Sequence, residues 1–534
     1  MKKIIWCLLA TLVLLPQATN AQQELTKPRL VVNIVVSGLR SESLGRFGRN
    51  LGREGFHRFA VHGMTFDSAY YNYMQTLTPV SLATLTTGVN PSMHGVVADR
   101  WVDYTTGGQV SLIHDVAVRG LDRDPGSGCY SPLNIVMPTL GDKLLAESPA
   151  SKVVTVAADP VSAVVMGGHS SQVFWIDEGR ATWSSSTGYM SRLPEWVVQL
   201  NESRPANRFV GVGWSPLLST KLYVNQINTI FGADRSQKIG SFRRAGVNDY
   251  RALVSSPWGN TLVADFVGQA VQNEALGTDE ATDILNVCFD ASRLVGQRYG
   301  VESMEYEDMI YRLDGDIAEL VKTITARVGQ GNVLFVVTSD HGTSDAWDGG
   351  GEPLERFNPN QFKTILNSFL GVQFGEGDWV LEYIDRQVYL NRNLIYLKNL
   401  SLEEVQNRAA TFVLQFRGIS HVLTSTAMQN GYFGASYGQR MQNGFYPRRA
   451  GDVMLNFMPG WIEERPDVRS LSGSMYDYDT HVPLMMFGWR IPPKHATEPV
   501  DMTWVAPTLA HILQISRPTA SDGITIRELD HVIN

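Results

Sequence analysis

Long apolar runs are scarce in this sequence. After the first fifteen residues no stretch reaches the roughly 20 uninterrupted apolar residues that a membrane-spanning helix needs, which excludes an integral helical membrane protein. Cysteine is scarce too, with three in 534 residues: Cys7, Cys129 and Cys288. Cys7 lies in the amino-terminal leader described below, so the remaining two allow at most one bridge, which an oxidising compartment would permit. Cys129 sits in a Gly/Ser/Pro-rich loop and Cys288 in the apolar stretch Ile284 to Phe289, so a buried, unpaired Cys288 is an equal alternative. Basic residues are not in excess: 45 Lys and Arg face 53 Asp and Glu, a formal net charge of -8, which gives no support to a nucleic-acid surface. Internal repeats, heptads and low-complexity tails are absent.

What is present begins with a leader. Met1-Lys2-Lys3 forms a basic start, Ile4 to Leu15 an apolar core too short to span a bilayer, and Thr19-Asn20-Ala21 a small-residue cleavage site before Gln22. Residues 1–21 therefore read as a removable signal peptide and 22–534 as an exported chain, periplasmic or extracellular. Cys7 has no lipobox around it. Cleavage leaves 43 basic against 53 acidic residues, a net charge of about -10.

With 43% hydrophobic and 18% charged residues the chain can bury a large core. Apolar runs at Leu30 to Val36, Val153 to Ala157, Val333 to Val337 and Pro483 to Phe487 predict core strands. Met309, Leu313, Ile317, Leu320, Val321 and Ile324 share one helical face, which Gly329 ends before the next strand. Further helices are expected at Pro138 to Glu147, Leu262 to Ala275, Glu403 to Phe416 and Met502 to Ile515. Helix alternating with strand is the signature of an α/β fold with a mostly parallel central sheet flanked by helices. Regions of about 178–258 and 350–450 lose this pattern and read as insertions capping one edge of the sheet.

Chemistry is expected at that edge. Ser339-Asp340-His341-Gly342 follows the apolar run Val333 to Val337, so a carboxylate and an imidazole emerge together at a strand's carboxyl end, where open α/β sheets bind ligands. Such a pair suits a divalent metal, and a strand-end turn with an incidental histidine is the competing reading. Thr78 reads as the N-cap of a short helix with Pro79 at its first position and Gly88 closing it. A hydroxyl there faces free N–H groups and the positive end of the helix dipole, which favours phosphate and an ionising oxygen. A purely structural cap is the commoner role. His481 stands just before the apolar run Val482 to Phe487, again at a strand edge.

Together these segments resemble the alkaline phosphatase superfamily, and most closely its exported, phosphate-irrepressible members with a threonine nucleophile and two zinc ions. The resemblance runs over nearly the whole mature chain. It rests on Arg29-Leu30-Val31-Val32, the Thr78 segment, Gly88 to Gly95, Asp99-Arg100-Trp101, Phe174 to Asp177, Leu294-Val295-Gly296, Glu307-Asp308, Ser339 to Gly342, Asp479 to Pro483 and Ala506-Pro507-Thr508. It implies Thr78 as nucleophile, Asp340, His341 and His481 as metal ligands, and Asp99 at the position of a phosphate-binding asparagine.

Departures from that pattern bear on function. Ser37 stands where the resemblance places a metal-binding aspartate, and Arg293 and Gln297 where it places an aspartate and a histidine. Asp159 and Val161 fall at its phosphate-binding lysine and arginine. One metal position is left with His481 alone, the other with Thr78, Asp340 and His341, and the formal ligand charge goes from about -3 to about zero. At most one zinc ion is expected, or none. Arg293 is expected to occupy the missing ion's space and pair with Asp340, the alternative being a side chain turned to solvent. These losses point to a pseudophosphatase that binds a phosphate ester or other small anion, with Asp99 and Arg293 as ligand contacts. The alternative is a metal-dependent phosphomonoesterase or phosphodiesterase using Thr78 with at most one zinc. A sulfatase is disfavoured because no cysteine lies near Thr78. Loop aromatics Tyr432, Phe433, Tyr437 and Tyr446 leave an interaction role open, without naming a protein partner.

Overall fold

A computed structural model describes residues 27–121, 127–210, 212–225, 243–244, 247–248, 250–345 and 355–533. The expected signal peptide, residues 1–21, lies outside the described residues, as do parts of the two expected insertions. Ten strands form one sheet. Its centre runs in the order Val333–Thr338, Leu30–Val36, Asp283–Phe289, Val153–Ala157 and Gln172–Asp177, all parallel. These strands are apolar on both faces because helices cover both sides, the arrangement that produces continuous hydrophobic runs. His481–Gly488 adds antiparallel beside Val333–Thr338, so the run expected at 483–487 is a core strand of reversed direction.

The long helix Met304–Val328 carries the apolar face read from sequence, buries Met309, Leu313, Ile317 and Ile324, and stops at Gly329, whose φ of 89° favours glycine. The other expected helices occur as Leu140–Glu147, Pro257–Asn273, Leu402–Val413 and Val505–Ile512. Thr139 starts the first of these with a capping box to Asp142. Thr78 is not an N-cap: the helix Thr78–Thr87 begins at Thr78 with Leu77 as its cap, because Leu77 is the last extended residue before Pro79 fixes the helical turn. Gly88 ends that helix in the left-handed conformation as expected.

Cys129 and Cys288 are both buried free thiols. Among the described residues no helix is long and apolar enough to cross a membrane. A separate four-stranded antiparallel sheet, Val380–Ile384, Gln387–Leu390, Val453–Phe457 and Ile419–Thr424, packs with the helices Pro359–Phe374 and Leu402–Val413 around its own apolar core. Its first hairpin turns through Asp385 and Arg386, with φ of 44° and 66°. A two-residue turn with both central residues at positive φ matches the twist of the strands, though Arg is an uncommon occupant.

Candidate functional site

Asp340 and His341 emerge where the strand Val333–Thr338 ends, and both are fully buried. Asp340 is held from three directions. Its Oδ2 accepts from the Ser37 hydroxyl at 2.7 Å, and Oδ1 accepts from the backbone N–H groups of Gly38 and His341, each at 2.9 Å. Ser37 follows the neighbouring strand Leu30–Val36, so parallel pairing puts the two residues side by side. Gly342 must be glycine, since an added Cβ would stand 2.0 Å from the Tyr478 carbonyl, to whose chain neighbour Asp479 it donates its own N–H.

The imidazole of His341 has a defined orientation. Nδ1 lies 2.5 Å from the Gly342 carbonyl, which can only accept, so the proton resides on Nδ1. Nε2 then presents its lone pair to the Thr78 hydroxyl at 3.0 Å, with Ser472 Oγ at 3.5 Å and Asp340 Oδ2 at 3.4 Å. Thr78, Asp340 and His341 are thus brought together as expected. His481 is not among them. Its Nε2 lies 3.0 Å from the Asp67 carbonyl and its ring stacks on Tyr70 at 4.5 Å, outside the cleft. Placing it as a metal ligand beside the others therefore finds no geometric support.

Arg293 also departs from expectation. It lies at the cleft and 14% of its side chain is exposed, but its ion-pair partner is Asp159 at 2.9 Å, with Asp290 at 3.9 Å, and not Asp340. Ser37 satisfies Asp340 instead, which leaves the guanidinium to the neighbouring acids. Burial opposes the Arg293 charge, yet Asp159, Asp290 and, more weakly, Asp340 outweigh it and hold its pKa above the ordinary value. Burial, then the charge of Asp159, raises the Asp290 carboxyl above its ordinary range, and Arg293 partly offsets this. Asp159 has a second task as the N-cap of the helix Pro160–Gly167, accepting from Val161 N–H at 2.9 Å.

Of these groups Thr78, His341, Asp159 and Arg293 line a cleft of about 160 Å³, whereas the buried Ser37, Asp290 and Asp340 do not line it. Asp99, Val161 and Gln297 also reach it from the main sheet edge. The opposite contribution was not read from the sequence: Asp385 and Arg386 from the hairpin of the smaller sheet, Glu463 from the short strand Ile462–Glu463, Arg465 just after it, and Ser472-Gly473. Only the Asp385-Arg386 pair left a local signal, the polar stretch Asp385-Arg386-Gln387 between the apolar pairs Tyr383-Ile384 and Val388-Tyr389. Of the loop aromatics, Tyr432 and Tyr437 are both exposed, and Tyr437 also packs edge-on against His421 at 4.7 Å.

Few of the donor groups gathered here are good metal ligands. Among the described residues no three His, Cys, Asp or Glu side chains converge to hold a metal ion. Thr78, Ser37 and Ser472 add neutral hydroxyls, which are poor zinc ligands, and one oxygen of Asp340 already receives two N–H groups.

The comparisons with known proteins agree with this architecture. The family model for type I phosphodiesterase / nucleotide pyrophosphatase matches residues 31–470. A protein of Myroides odoratus named calcium-transporting ATPase is 29% identical over 529 residues, covering 96% of each chain. Alkaline phosphatase PafA of Elizabethkingia meningoseptica is 28% identical over 526 residues, again covering 96% of both. The crystal structure of PafA superposes with a TM-score of 0.87 at 27% identity, over 94% of this chain and 99% of that one.

Proposed function

Because the chain belongs to the type I phosphodiesterase / nucleotide pyrophosphatase family, within the alkaline phosphatase superfamily, we propose that it is an exported member with an impaired bimetal site, a pseudophosphatase that acts by binding a small phosphate ester or other anion. The observation that carries this reading is the state of Asp340. Its partners are Ser37, Gly38, His341 and, at 3.4 Å, the Ser339 hydroxyl, all groups of the chain itself, and among the described residues the imidazole beside it is that of His341 alone. Two zinc ions would need several more anionic ligands to offset their charge and desolvation.

The purified mature protein is therefore expected to contain well under one equivalent of zinc. It is expected to hydrolyse neither nitrophenyl phosphate nor bis-nitrophenyl phosphate, with or without added zinc. Turnover that Thr78→Ala abolishes would overturn this.

A second reading draws on one contact, the 3.0 Å approach of Thr78 Oγ1 to His341 Nε2. In it the protein hydrolyses phosphate mono- or diesters. Asp340, His341 and Thr78 would hold a single zinc, which when bound supplies Lewis-acid polarisation of the phosphoryl group. Thr78 would be the nucleophile at the helix N-terminus, and Arg293 would meet the phosphoryl oxygens in place of the second cation. The assays above separate the two.

A further inference from the structure

Two guanidiniums face the cleft from opposite walls, and each is only partly engaged. Arg293, on the helix Ala291–Tyr299 at the main sheet edge, gives Nη2 to Asp159 at 2.9 Å. Its Nη1 makes no hydrogen bond among the described residues. Arg465, just after the short strand Ile462–Glu463, uses one edge of its fork on Glu463, from Nε at 3.3 Å and Nη2 at 2.8 Å, and shares Nη2 with Asp385 at 2.7 Å. Its Nη1 has no partner there either, and 44% of the side chain is exposed. The third arginine of the cleft is already engaged. Arg386 is buried, donates to the Ser472 carbonyl at 3.3 Å and faces the buried Asp479 carboxylate.

Resting on the reading of this site as a phosphate-ester cleft, we propose that Arg465 is its second phosphoryl-binding residue, closing with Arg293 on the phosphoryl oxygens from the other wall. The positions at which the resemblance puts a phosphate-binding lysine and arginine carry Asp159 and Val161, so the cations for a phosphoryl group have to come from elsewhere in the wall. Arg293 and Arg465 are the two that still have a donor to offer, and a guanidinium fork matches phosphoryl oxygens in geometry as well as charge. Between them the helix Thr78–Thr87 starts at the cleft with no side-chain cap on its N–H groups, which favours an anion at the same place. Glu463 and Asp385 hold Arg465 in position through the edge that the ligand does not use. Since Arg465 follows the segment packed on the smaller sheet and Arg293 belongs to the larger one, the bound phosphoryl group bridges the two.

The test is calorimetric titration of the mature protein at fixed ionic strength with inorganic phosphate and with phenylphosphonate, whose C–P bond stands in for the ester bond and resists hydrolysis. Arg465→Gln, a change at an exposed position, should weaken both about ten-fold. The double variant Arg465→Gln/Asp385→Asn has the wild-type net charge, and asparagine tolerates the φ of 44° at position 385. It should still bind both probes several-fold more weakly than wild type, because the lost contact is a donor and not only a charge. Equal binding by wild type and Arg465→Gln, or wild-type affinity in the double variant, overturns this proposal and leaves the preceding reading standing. Turnover that Thr78→Ala abolishes overturns the preceding reading alone, since Arg465 would then still set the affinity for phosphate. Wild type that binds neither probe overturns the phosphate-ester reading together with this one.

Discussion

The Thr78 hydroxyl lies 3.0 Å from Nε2 of His341, and the same imidazole is fixed through Nδ1 to the Gly342 carbonyl at 2.5 Å. The second contact dictates the first, because a proton on Nδ1 leaves Nε2 as the acceptor and makes Thr78 the donor. In the binding reading this pair is structural. Thr78→Val should then cost about 1–3 kcal/mol by leaving a buried acceptor unsatisfied, and Thr78→Ser should restore most of it. Urea denaturation checks the stability, and nitrophenyl phosphate turnover should be equally absent in wild type and both variants.

Ser37 offers a direct test of the electrostatics. Its hydroxyl donates to Asp340 at 2.7 Å in a fully buried position. Ser37→Asp would set two carboxylates against each other without water to screen them. The variant should lose roughly 5 °C or more in melting temperature, and zinc should restore it by binding the folded state alone. Wild type should shift by no more than about 1–2 °C at the same zinc concentration. A wild-type melting temperature that climbs steeply with zinc would contradict the account of the site.

Much of the frame was legible in the sequence, since it is encoded locally. The runs at Leu30–Val36 and Val333–Thr338 and the helix Met304–Val328 declare themselves by apolar pattern and glycine boundaries, and they alone bring Ser37, Asp340 and His341 to one edge. His481 misled because proximity to a strand edge says nothing about which way a side chain points. Asp479 turns inward, accepting from Ser474 N–H at 2.7 Å, whereas two residues on the His481 ring lies against Tyr70. Arg386, Arg465 and Ser472 were illegible for a different reason. They reach the cleft only through packing of the smaller sheet on the larger, and no spacing within their own segments records that contact. Arg293 was placed correctly at the site but given the wrong partner, because the competing donor, Ser37, was weighed only as a lost metal ligand.

Arg293 compensates two acids, and its removal should show this as a pH dependence. In Arg293→Met, Asp159 and the buried Asp290 would face each other unneutralised, a loss of about 3 kcal/mol at neutral pH. Asp290 already has a folded-state pKa raised above its unfolded value. Such a carboxyl keeps its proton in the folded chain while the unfolded chain has lost it, so stability falls as pH rises from the unfolded value through the folded one. Without Arg293 that folded value should rise further. The gap between variant and wild type should therefore be small near about pH 4 and widen toward about pH 8 in urea titrations. A gap independent of pH would mean that Arg293 acts through packing alone.

His94 sets a limit on acid stability away from the cleft. Its imidazole is fully buried. Nδ1 accepts from Val96 N–H at 3.1 Å, which leaves Nε2–H to donate to Thr84 Oγ1 at 3.0 Å, so both nitrogens are satisfied only when the ring is neutral. Burial first, and the charge of Arg449 second, push its pKa down to about 3. A folded-state pKa below the unfolded value contributes stability that is fully present above the unfolded value, about 6.5, and is lost as pH falls toward the folded one. The loss should reach roughly 3–5 kcal/mol near pH 3. His94→Gln cannot gain a proton, so it should be less stable than wild type at neutral pH but lose less on acidification. The two denaturation curves should accordingly converge between about pH 7 and pH 4, and parallel curves would assign the acid limb to other groups.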